Sequence, residues 1–382
     1  MKILYHHRIA SKDGQFVHIE ELTKALKNLG HELVMVGPAI VEEGEFGSDG
    51  GLVAKLKKHV PGFIYELLEF SYSIIAFLKL VFAVIKHRPD FIYERYNLFL
   101  PAGIWAKKIF RLPLLLEVNA PLFNERNKYD GIALSHLAKW SEVYTWRNAD
   151  FVLPVTNVLA SIIEDAGISR NKIQVIHNGI DLEKFYLEGD NASAKEELGL
   201  NNKLVLGFTG FMREWHGLEG IVDLLKSDDE SRHFLIVGDG PARGAIEQRA
   251  KELGVEDKLT ITGIVERVQI ASYVAAFDIA LQPDVVDYAS PLKLFEYMGM
   301  GRSIVAPDKE NIREVLSNRL NALLFDPDST KEFYKAVSDL CEDGELRTII
   351  GENAKKLIID GDYTWDGNAK RVTNIATDLV GS

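Results

Sequence analysis

The chain has one cysteine, Cys341, in 382 residues. No disulfide and no cysteine-built metal centre can form within it, and a reducing compartment is expected. A basic excess is also missing. Lys+Arg total 44 against Asp+Glu 56, a net charge of -12, which disfavours a general nucleic-acid binder, since such proteins need cations to neutralise phosphates. Met1-Lys2-Ile3-Leu4-Tyr5 enters a strand without the basic and apolar leader of a secreted protein, so a cytoplasmic location is expected. The motifs His-Glu-x-x-His and Gly-x-Ser-x-Gly are absent, and the 10 histidines have no metal-ligand spacing, so no metal is expected. No run is both long enough and free enough of charge to read as a membrane span. Ser71–Ile85 is strongly apolar, but it is short and carries Lys79.

Against these absences stands a hydrophobic content of 47%, enough for two domains with a core each. Strand-like runs at Lys2–His6, Glu32–Val36, Phe91–Glu94, Leu114–Val118, Phe151–Val155 and Ile173–Ile176 alternate with helical patterns. The alternation restarts with Leu204–Phe208, Phe234–Val237, Leu259–Ile261, Ile279–Gln282, Ser303–Ala306 and Ala322–Phe325. Alternating β and α predicts parallel sheets covered on both faces, here two Rossmann-like, doubly wound α/β domains in tandem. The turn Asn178-Gly179 and the polar stretch Leu187–Ser193 place the boundary, giving domains 1–178 and 179–364. A ligand cleft between two such domains, at the strands' carboxyl ends, is the expected active site.

The most informative stretch is Ser290-Pro291-Leu292-Lys293-Leu294-Phe295-Glu296-Tyr297-Met298-Gly299-Met300-Gly301. Proline at a first helical position leaves backbone N–H groups free for an anion such as a diphosphate, and Lys293 adds a charge beside them. Glu296 lies about one turn further, where a carboxylate can accept hydrogen bonds from a ribose diol. The competing reading is a solvated surface pair on the edge of the stripe Leu292, Phe295 and Met298; on pattern alone the two are evenly matched. Three further loops follow predicted strands: Arg8–Gln15 with Gly14, Gly207–Gly217 with Gly210, Arg213 and His216, and Gly238-Asp239-Gly240-Pro241. Arg213 is the stronger diphosphate donor, because a lone histidine beside aromatics is more often packed than ligating. Gly238 and Gly240 suggest a tight turn against a nucleotide, although the dinucleotide fingerprint fails by one residue at Gly244. The apolar Ser71–Ile85 follows Lys55, Lys57, Lys58 and His59. It is either a helix buried on the sheet, the commoner outcome, or one that enters a membrane surface.

Taken in order, these loops resemble glycosyltransferase family 4, retaining nucleotide-sugar enzymes of the GT-B fold, two facing Rossmann-like domains. The resemblance spans nearly the whole chain: Asp13-Gly14, Gly30-His31-Glu32-Leu33, Val175-Ile176-His177-Asn178-Gly179-Ile180-Asp181, Gly210 to Gly217, Gly238-Asp239-Gly240-Pro241, the Lys293 and Glu296 helix, and Tyr363-Thr364-Trp365. It implies a donor held by the second domain, with Glu296 on the ribose and Lys293 and Arg213 at the diphosphate. Gly210, His216, Gly238, Gly240 and the backbone of Ser290, Pro291 and Leu292 line the rest. The acceptor is placed near Gly14 and Asn119, in the loop Glu117-Val118-Asn119-Ala120-Pro121, and a final helix at about 365–382 packs back on the first domain.

Three departures from the family pattern stand out. Of two glutamates separated by seven residues only Glu296 is present, and Tyr288 occupies the first position; Phe211 and His216 replace basic residues; Asn119 replaces a histidine. The resemblance implies a UDP- or GDP-type sugar donor, no cofactor or metal, and a saccharide or lipid-linked acceptor. It further implies work in cell-surface polysaccharide or glycoconjugate synthesis; the apolar Ser71–Ile85 with its basic neighbours adds the expectation of a peripheral protein at the inner face of the membrane. The rival expectations are an inactive nucleotide-sugar-binding scaffold and a sugar-nucleotide epimerase on the same fold.

Overall fold

Runs rich in Val, Ile, Leu and Phe become short buried strands, and the periodic stretches between them become helices that cover both sheet faces. The computed structural model describes residues 1–9, 14–38, 60–185, 191–226 and 231–381. The loop 10–13, the basic cluster Lys55–His59 and positions 187–190 of the linker lie outside the described residues. The chain divides into two units. The first comprises Met1–Asn178, Tyr288–Ser290 and Trp365–Ser382, the second Gly179–Asp287 and Pro291–Thr364.

The first unit runs β1 (Lys2–His6), α1 (Gly14–Asn28), β2 (Glu32–Val36), α2 (Gly62–His87), β3 (Phe91–Arg95), α3 (Ala102–Phe110), β4 (Leu114–Val118), α4 (Leu122–Tyr129), α5 (Ser135–Asn148), β5 (Phe151–Pro154) and α6 (Asn157–Asp165). Its sheet is parallel in the order β2-β1-β3-β4-β5. Every residue of β3 and β4 is buried, as a parallel sheet with both faces covered demands. The expected strand Ile173–Ile176 does not form. Gln174 and Ile176 donate their N–H groups to the Val152 and Pro154 carbonyls, but only an isolated bridge, Val152 to Ile173, results. Pro154 has no N–H to return, so the ladder loses its next rung.

The second unit runs α7 (Asn191–Glu197), β6 (Leu204–Thr209), β7 (Arg232–Val237), α8 (Arg243–Leu253), β8 (Leu259–Ile261), α9 (Arg267–Ala275), β9 (Ile279–Leu281), α10 (Leu292–Gly299), β10 (Ser303–Pro307), β11 (Leu323–Phe325), α11 (Thr330–Glu342) and α12 (Gly344–Asp360). Asn191–Ser193, expected within the linker, begin α7 instead. The strand order is β11-β10-β9-β6-β7-β8, all parallel. Gly207 in β6 is required sterically, since a Cβ there would lie 2.1 Å from the Phe277 ring. Strand order reverses between β1 and β3 in the first sheet and between β6 and β9 in the second. In doubly wound sheets a crevice opens outside the strands' carboxyl ends at such switch points.

Apolar α2 is buried on the sheet along one side only. Ala76, Leu80, Ala83 and Val84 are buried in the first unit's core, while Ile74, Leu78, Phe82 and Ile85 face outward. The C-terminal helix Trp365–Val380 belongs to the first unit, where the Trp365 ring meets His18 of α1 edge-on with centroids 4.8 Å apart.

Candidate active site

At the switch point of the second sheet the chain leaves β6 through Gly210, whose φ of +119° suits glycine. The loop then runs backbone to backbone along the turn after β7. Gly210 N–H donates to the Val237 carbonyl and Met212 N–H to the Asp239 carbonyl, each at 2.9 Å. A Cβ on Gly238 would lie 2.0 Å from the Gly210 oxygen, and one on Gly240 2.3 Å from the Met212 oxygen. The room a Cβ would take on these two glycines is filled by the neighbouring loop, so the close packing of the two loops by itself requires glycine at both positions.

Helix α10 starts beside this loop. Pro291 is its N-cap, one place earlier than the sequence suggests, and no side chain caps the first turn. The Tyr297 hydroxyl accepts a 2.8 Å hydrogen bond from Thr209 N–H and ties the helix to the end of β6. Lys293 projects back over β6, its Nζ 4.0 Å from the Phe208 ring centroid and 3.9 Å from the Cβ position of Gly210. Burial pulls its ammonium down to about 7, and Glu296 acts in the opposite direction. Glu296 is buried at 8% exposure and Leu292 is half-buried. Glu296 is therefore not a solvated surface carboxylate, while Lys293 is half-buried.

Arg213 stands exposed, its guanidinium 5.1 Å from the Phe211 ring centroid. His216 is buried edge-on against Phe208, with centroids 5.1 Å apart, and its Nδ1 accepts the Arg213 N–H at 3.2 Å. That bond puts the proton of the neutral ring on Nε2. Burial, Lys293 and Arg213 push the imidazole down to about 3. Neither Lys293 nor Arg213 forms an ion pair with a carboxylate among the described residues.

The structure thus gathers Gly210, Arg213, His216, Pro291, Leu292, Lys293 and Glu296 at one switch point, with Gly238 and Gly240 supporting the loop. Ser290, directly before Pro291, is grouped with the first unit, where its Oγ accepts the Asn178 N–H and its carbonyl accepts the Asn178 amide at 2.6 Å. Tyr288 likewise packs on the first unit's core, and its carbonyl accepts a 2.9 Å bond from the Thr156 hydroxyl.

In the first unit Gly14 opens α1 and Asn119 follows β4. Asn119 donates its amide to Glu117, part of a buried cluster that sequence reasoning passed over. Glu117 also pairs with Arg95, accepts the Tyr93 hydroxyl at 2.8 Å and lies 3.4 Å from His18 Nδ1. Burial alone would raise the Glu117 carboxyl, but His18, Arg95 and the Asn119 and Tyr93 bonds hold it below its usual range. Burial pulls His18 down to about 4. The available signal was a charged residue inside an otherwise apolar strand, Arg95 in Phe91–Arg95 and Glu117 in Leu114–Val118. Among the described residues no three His, Cys, Asp or Glu side chains are grouped to hold a metal ion.

Two family models match the chain, glycosyltransferase family 4 over residues 12–184 and glycosyl transferases group 1 over residues 190–357. An uncharacterised glycosyltransferase of Methanocaldococcus jannaschii is 25% identical over 96% of this chain and 95% of its own length. The mannosylfructose-phosphate synthase of Agrobacterium fabrum is 23% identical over 95% of this chain and 86% of its own length. In structure, HepE of Anabaena in complex with UDP is similar with a TM-score of 0.77 at 19% identity, covering 99% of this chain and 100% of that one. With two parallel Rossmann-like sheets and matches along nearly its full length, the chain belongs to glycosyltransferase family 4 and has the GT-B fold.

Proposed function

We propose that the protein transfers a sugar from a UDP- or GDP-type nucleotide sugar, with retention of configuration and without a metal or other cofactor. The acceptor is a saccharide or a lipid-linked saccharide met at the inner face of the membrane, in the synthesis of a cell-surface polysaccharide or glycoconjugate. The carrying observation is Lys293, an ammonium packed on Phe208 beside Gly210, without an ion-pair partner among the described residues and at the uncapped start of α10. A cation with its titration pulled down by burial gains most from an incoming dianion. Lys293, Arg213 and the α10 N-terminus neutralise the departing diphosphate, and Glu296 accepts hydrogen bonds from the ribose diol. The acceptor hydroxyl attacks on the face the diphosphate leaves: its oxygen bonds to the anomeric carbon, the bond to phosphate oxygen breaks, and that oxygen takes the hydroxyl proton. Gly14 and Asn119 belong to the acceptor side.

The test is thermal shift with UDP, GDP, ADP and dTDP sugars in EDTA, on wild type, Glu296→Gln and Lys293→Ala, followed by turnover and the anomeric configuration of the product. Stabilisation by one base class, its loss in Glu296→Gln, and turnover reduced ~100-fold or more in Lys293→Ala are expected. Near-normal turnover in Lys293→Ala removes that residue from the mechanism. Donor binding without transfer to any acceptor favours a scaffold, a reading to which Tyr288 in place of the first glutamate lends support.

A further inference from the structure

Among the described residues, the outer face of α2 is apolar, uncovered and free of acids. Its inner side is anchored. Ser73 donates to the Phe99 carbonyl at 2.7 Å, and Glu66 accepts the Ala133 and Leu134 N–H groups. Glu69 pairs with Arg8 and Arg126. Gly62–His87, with 26 residues, is longer than the run 71–85 read from the sequence and is long and apolar enough to cross a membrane by length and composition; these bonds and the packing of Ala76, Leu80 and Val84 hold it instead against the first unit. Outward, Ile74, Leu78, Phe82 and Ile85 recur at helical spacing with exposures of 58%, 60%, 66% and 64%. Ile109 after α3's lysines and Trp140 of α5 are exposed too.

Charge on this face runs against the rest of the molecule. The acids of α2, α3 and α5 are Glu66, Glu69 and Glu142, and all three are turned inward: Glu66 and Glu142 are buried, and the Glu69 side chain is 10% exposed. The exposed charges of these helices are Lys79, Lys86, Lys108, Lys139 and Arg147. Lys86 lies over the Phe82 ring at 5.7 Å, and Lys108 over Tyr144 at 4.7 Å. Trp140 stacks on Tyr144, with centroids 5.0 Å apart.

An apolar stripe bordered by cations, with Trp and Tyr between them, is the pattern that lies in a bilayer interface. We propose that α2, with the adjoining surfaces of α3 and α5, docks on an anionic lipid bilayer. A second copy of the chain fits less well. A two-fold interface would bring this cationic face against itself, whereas a bilayer supplies both the apolar medium and the opposite charge. The proposal rests on the membrane-side acceptor reading for its purpose, but its binding is measured without donor or acceptor.

The experiment is co-sedimentation with vesicles of phosphatidylglycerol and phosphatidylcholine, and of phosphatidylcholine alone, at low and high salt. The variants are Leu78→Glu with Phe82→Glu, and Lys86→Glu with Lys108→Glu, their folding checked by circular dichroism melting; Phe82→Ser is the milder substitute if the first pair melts early. Wild type is expected to sediment with the anionic vesicles at low salt. Partition should fall ~tenfold or more in either double variant and decrease with salt. Wild type left in the supernatant, or variants that sediment like wild type, overturns the proposal. So does a dimer that Leu78→Glu with Phe82→Glu dissociates, without vesicle binding; the face is then an interface between copies. Transfer to a soluble acceptor with no vesicle binding leaves the transferase reading standing and removes the docking.

Discussion

Lys293 titrates near 7 because burial removes water from its ammonium. A diphosphate beside it restores the charged form, so binding above pH 7 must take up a proton. Nucleotide affinity should therefore fall as pH rises above 7, and titration calorimetry in buffers of different ionisation enthalpy should register the uptake. Affinity independent of pH between about 7 and 9, with no proton taken up, would sink the assignment of Lys293 to the diphosphate. The side chains were partly legible beforehand. Lys293 and Glu296 announce themselves by spacing on one short helix, whereas the Glu117 cluster unites α1, β3 and β4 and has no local pattern. Composition does not say what fills the space beside Gly238 and Gly240. Here a backbone fills it.

Strands were legible as elements because a parallel sheet covered on both faces turns every buried strand into a short apolar run. Ile173–Ile176 has that composition and still fails, because ladder formation depends on the partner's N–H and β5 ends in Pro154. Element packing also explains Gly207. With the Phe277 ring where a Cβ would stand, Gly207→Ala should cost ~1–3 kcal/mol through overpacking of β6. Urea denaturation measures it, and a Phe277→Leu background should recover part of the loss. An unchanged midpoint in Gly207→Ala would show that the ring moves aside freely. Helix α2 shows the opposite limit of sequence reading: its hydrophobicity is plain, but which residues face out is decided by the Ser73 and Glu66 anchors.

Each unit has a separate core, one around Leu4, Ile92 and Leu116 and the other around Leu206, Phe234 and Val305. The proposed donor groups lie in the second. A bound nucleotide should thus slow amide exchange most at Thr209–Arg213 and Leu292–Glu296, read by hydrogen exchange with mass spectrometry. Protection centred on β1 to β4 instead would relocate the donor. Composition and periodicity were sufficient for two parallel α/β sheets, for the exclusion of disulfides and for an acidic chain, because burial of apolar strands and the count of charges are properties of local sequence. The strand orders, the gathering of Lys293, Arg213 and His216 at the β6 and β9 switch point, and the acid-free face of α2 were decided only in the folded molecule. They depend on contacts between residues distant in the chain, which local sequence pattern does not encode.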